Sequence, residues 1–208
     1  MLLTDPPYNV AYVGKTADAL TIKNDSMEDA KFRAFLVDAF NAATEHLKPG
    51  GAFYIWHADS EGFNFRVAAK EAGLKVRQCL VWNKNSLVLG RQDYQWKHEP
   101  CLYGWKDGAG HYFTNDRTLT TVIDEDKPAR SDEHPTMKPI KLFARQIANS
   151  SRPGETVLDT FGGSGTTIMA AEQLGRKARV MELDPKYCDV ILTRYESLTG
   201  TKGQKYEG

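Results

Sequence analysis

A run of five apolar residues, Ala52–Trp56, constrains the fold of this chain more than any other feature. Because no polar residue interrupts it, the run is typical of a strand that is buried on both faces. Such strands lie inside mostly parallel sheets that helices cover on both sides. The preceding segment has apolar residues at helical spacing, from a capping-box-like start at Ser26 and Asp29 to a stop at Pro49. A helix that leads into a doubly buried strand predicts an α/β fold.

The same alternation of helical and strand-like segments continues along the chain. Further helices are expected over Phe63–Ala72, Ile140–Ala148, Thr166–Leu174 and from Pro185, and further strands over Leu74–Trp82, Cys101–Trp105, Thr156–Leu158 and Ala178–Met181. This order predicts one domain, residues 1–208, with a doubly wound, mostly parallel α/β sheet. The segment Lys106–Glu133 has no clear periodicity and is expected to be a short inserted loop.

The composition argues against several classes of protein. The 208 residues are 41% apolar, which is enough for a core without disulfides or metals. No apolar run approaches the length of a membrane span, and no segment resembles a signal peptide. The three cysteines lack a Cys-x-x-Cys spacing, which favours reduced thiols in a cytoplasmic protein over a disulfide framework or a zinc site. No second histidine follows His98-Glu99 at the spacing of metal ligands, so we expect no metal.

The chain begins with a stiff corner, Asp5-Pro6-Pro7-Tyr8, directly after a short apolar run, Met1–Leu3. Each proline fixes its own φ and pushes the residue before it towards extended geometry, so this segment is not helical. The corner therefore holds a carboxylate and an aromatic ring in a rigid arrangement. Such a pair needs an explanation beyond the fold.

A glycine-rich turn, Val157–Thr167, links a predicted strand to a predicted helix. Glycines let a backbone approach a ligand closely, and a helix N-terminus offers free N–H groups. Glu182 lies at the carboxyl end of the next strand, where an acid can accept hydrogen bonds from both hydroxyls of a ribose. The strict dinucleotide pattern is not met, because Ile168 occupies the third glycine position, and no Walker lysine follows. The turn is either an ordinary strand–helix connection or an adenosine-type site.

Together, the Asp5–Tyr8 corner and the turn Phe161-x-Gly163-x-Gly165 resemble the amino-methyltransferases of DNA, which use S-adenosyl-L-methionine. The catalytic motif comes first and the cofactor motif about 150 residues later, which is similar to the permuted order of the family's beta group. The blocks Leu47–Trp56, Val81–Asn85, His98–Gly104 and His134–Pro139 also resemble family blocks, in the family's order. The resemblance implies a Rossmann-like methyltransferase fold. Family members normally have one more strand before the catalytic motif, so we expect a sheet that lacks this edge strand.

The resemblance also implies a role for each part of these motifs. Asp5, Pro6, Pro7 and Tyr8 would be catalytic, and S-adenosyl-L-methionine would be held by Asp159, Phe161, Gly163, Gly165, Glu182, Thr136 and Lys138. Among these residues, Glu182 would hold the ribose, whereas Thr136 and Lys138 would lie near the carboxylate of the cofactor.

These residue types suit methyl transfer to an exocyclic amine, whose lone pair is delocalised into the base. If Asp5 and the main-chain carbonyl of Pro6 each accept one N–H, the lone pair is freed in the transition state. Tyr8 would stack on a base that has been flipped out of the duplex. The resemblance implies that aspartate at the first position favours adenine N6, and cytosine N4 is the nearest rival because both amines suit the same acceptor pair. The sequence also leaves room for a truncated DNA-binding relic with little activity and for a nicotinamide-dependent oxidoreductase, which Ile168 disfavours.

The formal net charge is zero, so affinity for double-stranded DNA depends on how the charge is distributed. Six Lys/Arg and two acids lie between positions 75 and 106, and Lys84, Arg91 and Lys97 are the candidate phosphate contacts. These cations could equally be solvated charges around core aromatic residues. Segment 106–133, where the family's target-recognition segment usually lies, carries four basic and seven acidic residues. The sequence leaves open a monomer or a homodimer, and the resemblance implies a bacterial or phage protein of the cytoplasm.

Overall fold

The computed structural model describes residues 1–10, 25–126 and 137–206. Within these ranges, one sheet contains β1 (Leu2–Thr4), β2 (Ala52–Trp56), β3 (Val76–Val88), β4 (Trp96–Trp105), β5 (Val122–Asp124), β6 (Thr156–Asp159) and β7 (Lys177–Val180). The helices are α1 (Asp29–Glu45), α2 (Gly62–Glu71), α3 (Ile140–Ser150), α4 (Thr166–Gln173) and α5 (Pro185–Thr199), with a short 3₁₀ helix at Asp59–Glu61.

The strands lie in the order β5-β3-β4-β2-β1-β6-β7. β1 pairs in parallel with β2 and β6, β6 with β7, and β3 with β5, whereas β4 is antiparallel to both β2 and β3. The predicted mostly parallel sheet is therefore confirmed. Because β1 lies between β2 and β6, its carboxyl end opens at the centre of the edge where α/β sheets bind ligands.

Helices cover both faces of the sheet, and successive residues of the central strands point to opposite faces. One core contains Leu2 and Phe53 together with residues of α1 and α2. The other contains Leu3 and Tyr54 together with residues of α3 and α4. All five residues of β2 are buried, as the apolar run predicts. Burial on two faces makes β1 and β2 a rigid support for the residues that follow them.

The hairpin of β3 and β4 is longer than the sequence pattern indicates. β3 continues past Trp82 to Val88, and β4 starts at Trp96 instead of Cys101. The extra residues pair with each other, with a register shift between Asn83 and Val88. Cross-strand hydrogen bonds thus extend both strands through polar residues that a sequence pattern assigns to a loop.

Two other expectations differ from the structure, and a third is not tested by it. α1 begins at Asp29 with Glu28 as N-cap and without a side-chain cap, so the predicted cap at Ser26 is wrong. Segment 106–133 is not entirely a loop, because it supplies β5, and its residues 127–133 lie outside the described ranges. In the part of the chain that the structure describes, β7 pairs with β6 on one side only, and the lack of a further edge strand stays a prediction.

No helix of the described ranges is long and apolar enough to cross a membrane.

Candidate active site

The Asp5–Tyr8 corner follows β1 at the carboxyl edge of the sheet. Asp25 supports this corner, because its carboxylate accepts a hydrogen bond from the backbone N–H of Tyr8 at 2.9 Å. The next residue, Asn9, has φ of 57° and exchanges two hydrogen bonds with the backbone of Met27. The corner is therefore held by proline geometry and by the segment that leads into α1.

Four charged side chains cluster beside the Tyr8 hydroxyl. The Lys138 ammonium donates hydrogen bonds to Asp5 Oδ2 at 2.7 Å and to Tyr8 Oη at 2.8 Å, and it lies 3.0 Å from Glu99 Oε2. Glu99 Oε1 forms an ion pair with Lys84. The Tyr8 hydroxyl donates to Asp5 Oδ1 at 2.5 Å. Both lysines are almost inaccessible, since the side chains of Lys138 and Lys84 are 4% and 5% exposed. We call these five residues the charged cluster.

Burial and mutual attraction shift the titration of the charged cluster. Burial raises the pKa of Asp5, and Lys138 only partly opposes that rise. Burial acts in the same direction on Glu99, but Lys138 and Lys84 outweigh it and lower its pKa to about 2. Burial opposes the charge on Lys138, but Asp5 and Glu99 outweigh it and raise its pKa. Glu99 is thus a carboxylate and Lys138 an ammonium at neutral pH. Of the two carboxyl groups in the cluster, Asp5 has the higher pKa.

Asp159 joins the end of β1 to the glycine-rich turn. Its carboxylate accepts hydrogen bonds from the hydroxyls of Thr4 and Thr167 at 3.0 and 2.5 Å, and from the backbone N–H of Phe161 at 3.1 Å. Burial raises the pKa of Asp159 to about 7, against the opposing effect of these donors. Because Thr4 precedes Asp5, this side chain fixes the distance between the proline corner and the turn.

The turn itself has the backbone geometry that requires glycine. Gly163 and Gly165 have φ of 52° and 81°, in the left-handed region, and Gly165 is the N-cap of α4. Glu182, beyond the end of β7, accepts a hydrogen bond from the backbone N–H of Gly163 at 2.7 Å. Next to it, Met181 and Leu183 are 63% and 68% exposed. A carboxylate flanked by exposed apolar side chains suits a nucleoside, which has both a ribose diol and an apolar base.

Lys138 connects the turn with the charged cluster. The hydroxyl of Thr166, the first residue of α4, donates to the Lys138 carbonyl at 3.4 Å, whereas the Lys138 ammonium reaches Asp5. The ammonium also lies 5.1 Å from the centre of the Tyr8 ring and 5.8 Å from that of Trp56. One residue therefore borders both halves of the site.

The sequence pattern of the N6/N4 DNA methylase family matches residues 1–193. The chain belongs to this family. Its match covers β1, the proline corner, the charged cluster, the glycine-rich turn and most of α5. The interpretation of the two motifs as parts of one DNA amino-methyltransferase is confirmed at the level of the family.

Three known proteins place this DNA methylase among its relatives. DNA adenine methyltransferase YhdJ from Escherichia coli K12 is 27% identical, over 94% of this chain and 76% of its own length. The M1.HpyAVI–SAM complex has a TM-score of 0.71 at 23% identity, covering 93% of this chain and 87% of its own. The cytosine-N4-specific PvuII DNA methyltransferase has a TM-score of 0.75 at 16% identity, covering 93% and 78%. The two solved structures show the same fold.

The fold of the DNA methylase brings most of the predicted site residues to one edge of the sheet. Lys138 precedes α3, and Glu182 follows β7. Asp159 ends β6, and the loop after it carries Phe161, Gly163 and Gly165. The corner after β1 supplies Asp5, Pro6, Pro7 and Tyr8. Thr136 lies outside the described residues. Lys84 was predicted to contact DNA phosphates, but the structure places it in a buried position, paired with Glu99. Arg91 and Lys97 are exposed.

Two residues of the DNA methylase site were missed by sequence reasoning. Glu99 lies in the His98–Gly104 block and was considered only as a metal ligand, yet the structure places it between two lysines. Asp25 carries no recognisable motif, and it is 3% exposed. The available signal for Glu99 was a carboxylate directly before the mostly apolar segment Pro100–Tyr103, whereas nothing in the sequence marks Asp25.

Proposed function

We propose that this DNA methylase transfers a methyl group from S-adenosyl-L-methionine to the exocyclic N6 amine of adenine in double-stranded DNA. The observation that carries the proposal is the link between Thr4 and Asp159, which fixes Asp5 next to the glycine-rich turn. A methyl donor held at the turn and an amine held at Asp5 would then be neighbours. Proximity of this kind is a major source of rate acceleration.

The residues at the turn suit the cofactor. Glu182 would accept hydrogen bonds from the ribose hydroxyls, and the left-handed backbone at Gly163 and Gly165 would let the chain pass close to the ligand. Phe161 and Asp159 would border the adenosine, and Lys138 with Thr136 would border the methionine part. When bound, S-adenosyl-L-methionine supplies an electrophilic methyl group on a sulfonium sulfur.

The proline corner suits the amine. Asp5 would accept one N–H of the amine and the Pro6 carbonyl the other, which frees the nitrogen lone pair for attack. Because Pro6 and Pro7 restrict the backbone, the two acceptors keep a fixed orientation towards the amine. The raised pKa of Asp5 makes it the carboxylate of the cluster best suited to receive the proton that leaves.

Adenine is favoured over cytosine by the aspartate at the first position of the corner and by the name of the E. coli relative. The fold is shared with a cytosine-N4-specific enzyme, so base identity is the point to test. The protein should be incubated with radiolabelled S-adenosyl-L-methionine and duplex DNA, and the digested nucleosides identified by mass spectrometry. We expect N6-methyladenine. N4-methylcytosine would contradict the choice of base, and a bound cofactor without transfer would support a DNA-binding relic instead.

The β3–β4 hairpin is the proposed DNA contact. It projects beyond the carboxyl end of β2, since Trp56 ends β2 and pairs with Cys101, five residues after the start of β4. Its tip exposes Leu89 and Tyr94 by 75% and 92%. Exposed apolar and aromatic side chains among basic residues, at the edge that carries Asp5, suit a nucleic-acid surface. Segment 106–133 stays a predicted target-recognition segment.

Replacing both Arg91 and Lys97 by alanine should weaken duplex binding equally for all sequences. Each of these exposed cations would release a condensed counterion from DNA, so the slope of log K against log salt should fall by about 2 in magnitude. Fluorescence anisotropy at several salt concentrations measures both quantities.

Lys48→Ala is the matched control for this double variant. Lys48 is also exposed, but it lies before β2, at the opposite edge of the sheet from Asp5. Its replacement should leave the salt slope unchanged. An unchanged slope in the Arg91/Lys97 variant would exclude the hairpin as the DNA contact.

A further inference from the structure

Lys138 lies between two carboxylates at the point where the target amine is proposed to bind. Its ammonium is 2.7 Å from Asp5 Oδ2 and 3.0 Å from Glu99 Oε2, and its third acceptor is Tyr8 Oη at 2.8 Å. Three acceptors match the three N–H groups of an ammonium. With 4% of its side chain exposed, Lys138 has little access to water as a substitute partner.

The ammonium competes with the target amine for Asp5. Asp5 Oδ1 already accepts from the Tyr8 hydroxyl, and Oδ2 accepts from Lys138. An incoming N–H therefore meets a carboxylate whose two oxygens are both engaged. The amine also gains positive charge as the methyl group is transferred, and an ammonium on the same carboxylate opposes that charge.

Glu99 provides a second carboxylate within hydrogen-bond distance of the Lys138 ammonium. Its Oε2 already touches Lys138, while its Oε1 is held by Lys84. Lys84 thus fixes the orientation of Glu99 and balances its charge. Asp5, Glu99, Lys84 and Lys138 together are neutral, so a shift of the ammonium towards Glu99 leaves the net charge of the buried cluster unchanged and frees Asp5 for the amine.

We propose that Glu99 is a positioning residue for methyl transfer, which takes the Lys138 ammonium when the target amine binds Asp5. The proposal rests on the proposed function, because it assigns Asp5 to the amine. Without Glu99, the ammonium keeps Asp5 as its carboxylate partner among the described residues. The target amine is then excluded from its acceptor.

The Glu99→Gln variant tests the first part of the proposal. Glutamine keeps the shape of Glu99 but removes its charge, so Lys138 stays on Asp5. The single-turnover rate of methyl transfer should fall about 30-fold, less than when a group that contacts the reacting atoms is removed. Affinity for S-adenosyl-L-methionine should stay within twofold. Glu99→Asp keeps the charge and should recover most of the rate.

The double variant Glu99→Gln/Lys138→Met distinguishes positioning from a structural role. Removing the ammonium releases Asp5, so the double variant should transfer methyl groups at least five times faster than Glu99→Gln. If Glu99 only stabilises the fold, the second lesion adds to the first and the double variant is the slower one. Thermal melting of all variants shows whether each is folded.

The pH profile gives a second readout. Glu99 raises the pKa of Asp5 and Lys138 lowers it, so the acid limb of the rate should move down in pH in Glu99→Gln and up in Lys138→Met. The groups that face Asp5 and Glu99 are Tyr8, Lys84, Lys138, His57, Cys101 and Asp159. These groups are the same in both variants apart from the replaced residue.

The outcomes separate this proposal from the proposed function. An active wild-type protein whose double variant is no faster than Glu99→Gln, or whose acid limbs do not move in opposite directions, overturns the positioning role alone. A wild-type protein that binds cofactor but transfers no methyl group to DNA overturns both. Recovery in the double variant together with opposite shifts supports the positioning role.

Discussion

Replacing Asp5 by asparagine should lower the rate of methyl transfer about a thousandfold while cofactor binding is retained. Asparagine keeps the size of the side chain, but its amide nitrogen donates where the carboxylate oxygen accepts. It also removes the charge that would stabilise the positive amine in the transition state. Groups aimed at developing charge are worth on the order of a hundredfold to a thousandfold in rate. Loss of a proton acceptor adds to that effect.

Three measurements make the Asp5→Asn experiment specific. Single-turnover assays give the rate, calorimetry gives the affinity for S-adenosyl-L-methionine, and duplex binding shows that the DNA surface is intact. Asp38→Asn is the matched control, because Asp38 is exposed on α1, away from the charged cluster. Its rate should equal that of the wild type. Activity within tenfold of the wild type in Asp5→Asn would remove Asp5 from the mechanism.

The fold could be predicted largely because its central strands are apolar on both faces. Ala52–Trp56 and Thr156–Leu158 were found from their patterns, and the structure places both next to β1. The hairpin extension from Trp82 to Val88 was not found, since cross-strand pairing stabilises it and local propensity does not. The antiparallel direction of β4 likewise depends on its partners, which lie far apart in sequence.

The parts of the site that could be predicted are the two motifs whose residues lie close together in the sequence. The turn after β6 and the corner after β1 were brought together by parallel pairing of their strands, which the alternation of elements predicts. Glu99 and Lys84 were misjudged because charged residues are usually exposed, and only the tertiary structure shows their mutual burial. The position of the Lys138 ammonium depends on Asp5 and Glu99, so the residues next to Lys138 in the sequence could not predict it.

Replacing Glu182 by alanine should weaken S-adenosyl-L-methionine binding about a hundredfold. Two effects add: the ribose loses a charged acceptor, worth about 1.5–3 kcal/mol, and the turn loses its support. Glu182 accepts hydrogen bonds from the backbone N–H groups of Gly163 at 2.7 Å and Asp184 at 2.8 Å, so it joins the glycine-rich turn to the loop before α5. Isothermal titration calorimetry measures the change. At saturating cofactor, the transfer rate should stay within threefold of the wild type.

Glu182→Gln and Glu172→Ala complete this experiment. Glutamine keeps one acceptor oxygen, so Glu182→Gln should weaken binding about tenfold. Glu172 is exposed near the end of α4, and its replacement should leave the affinity unchanged. If alanine at position 182 changes the affinity by less than twofold, the carboxylate does not hold the ribose. Glu182 would then only support the turn through its two backbone contacts, and other residues of the turn would hold the ribose.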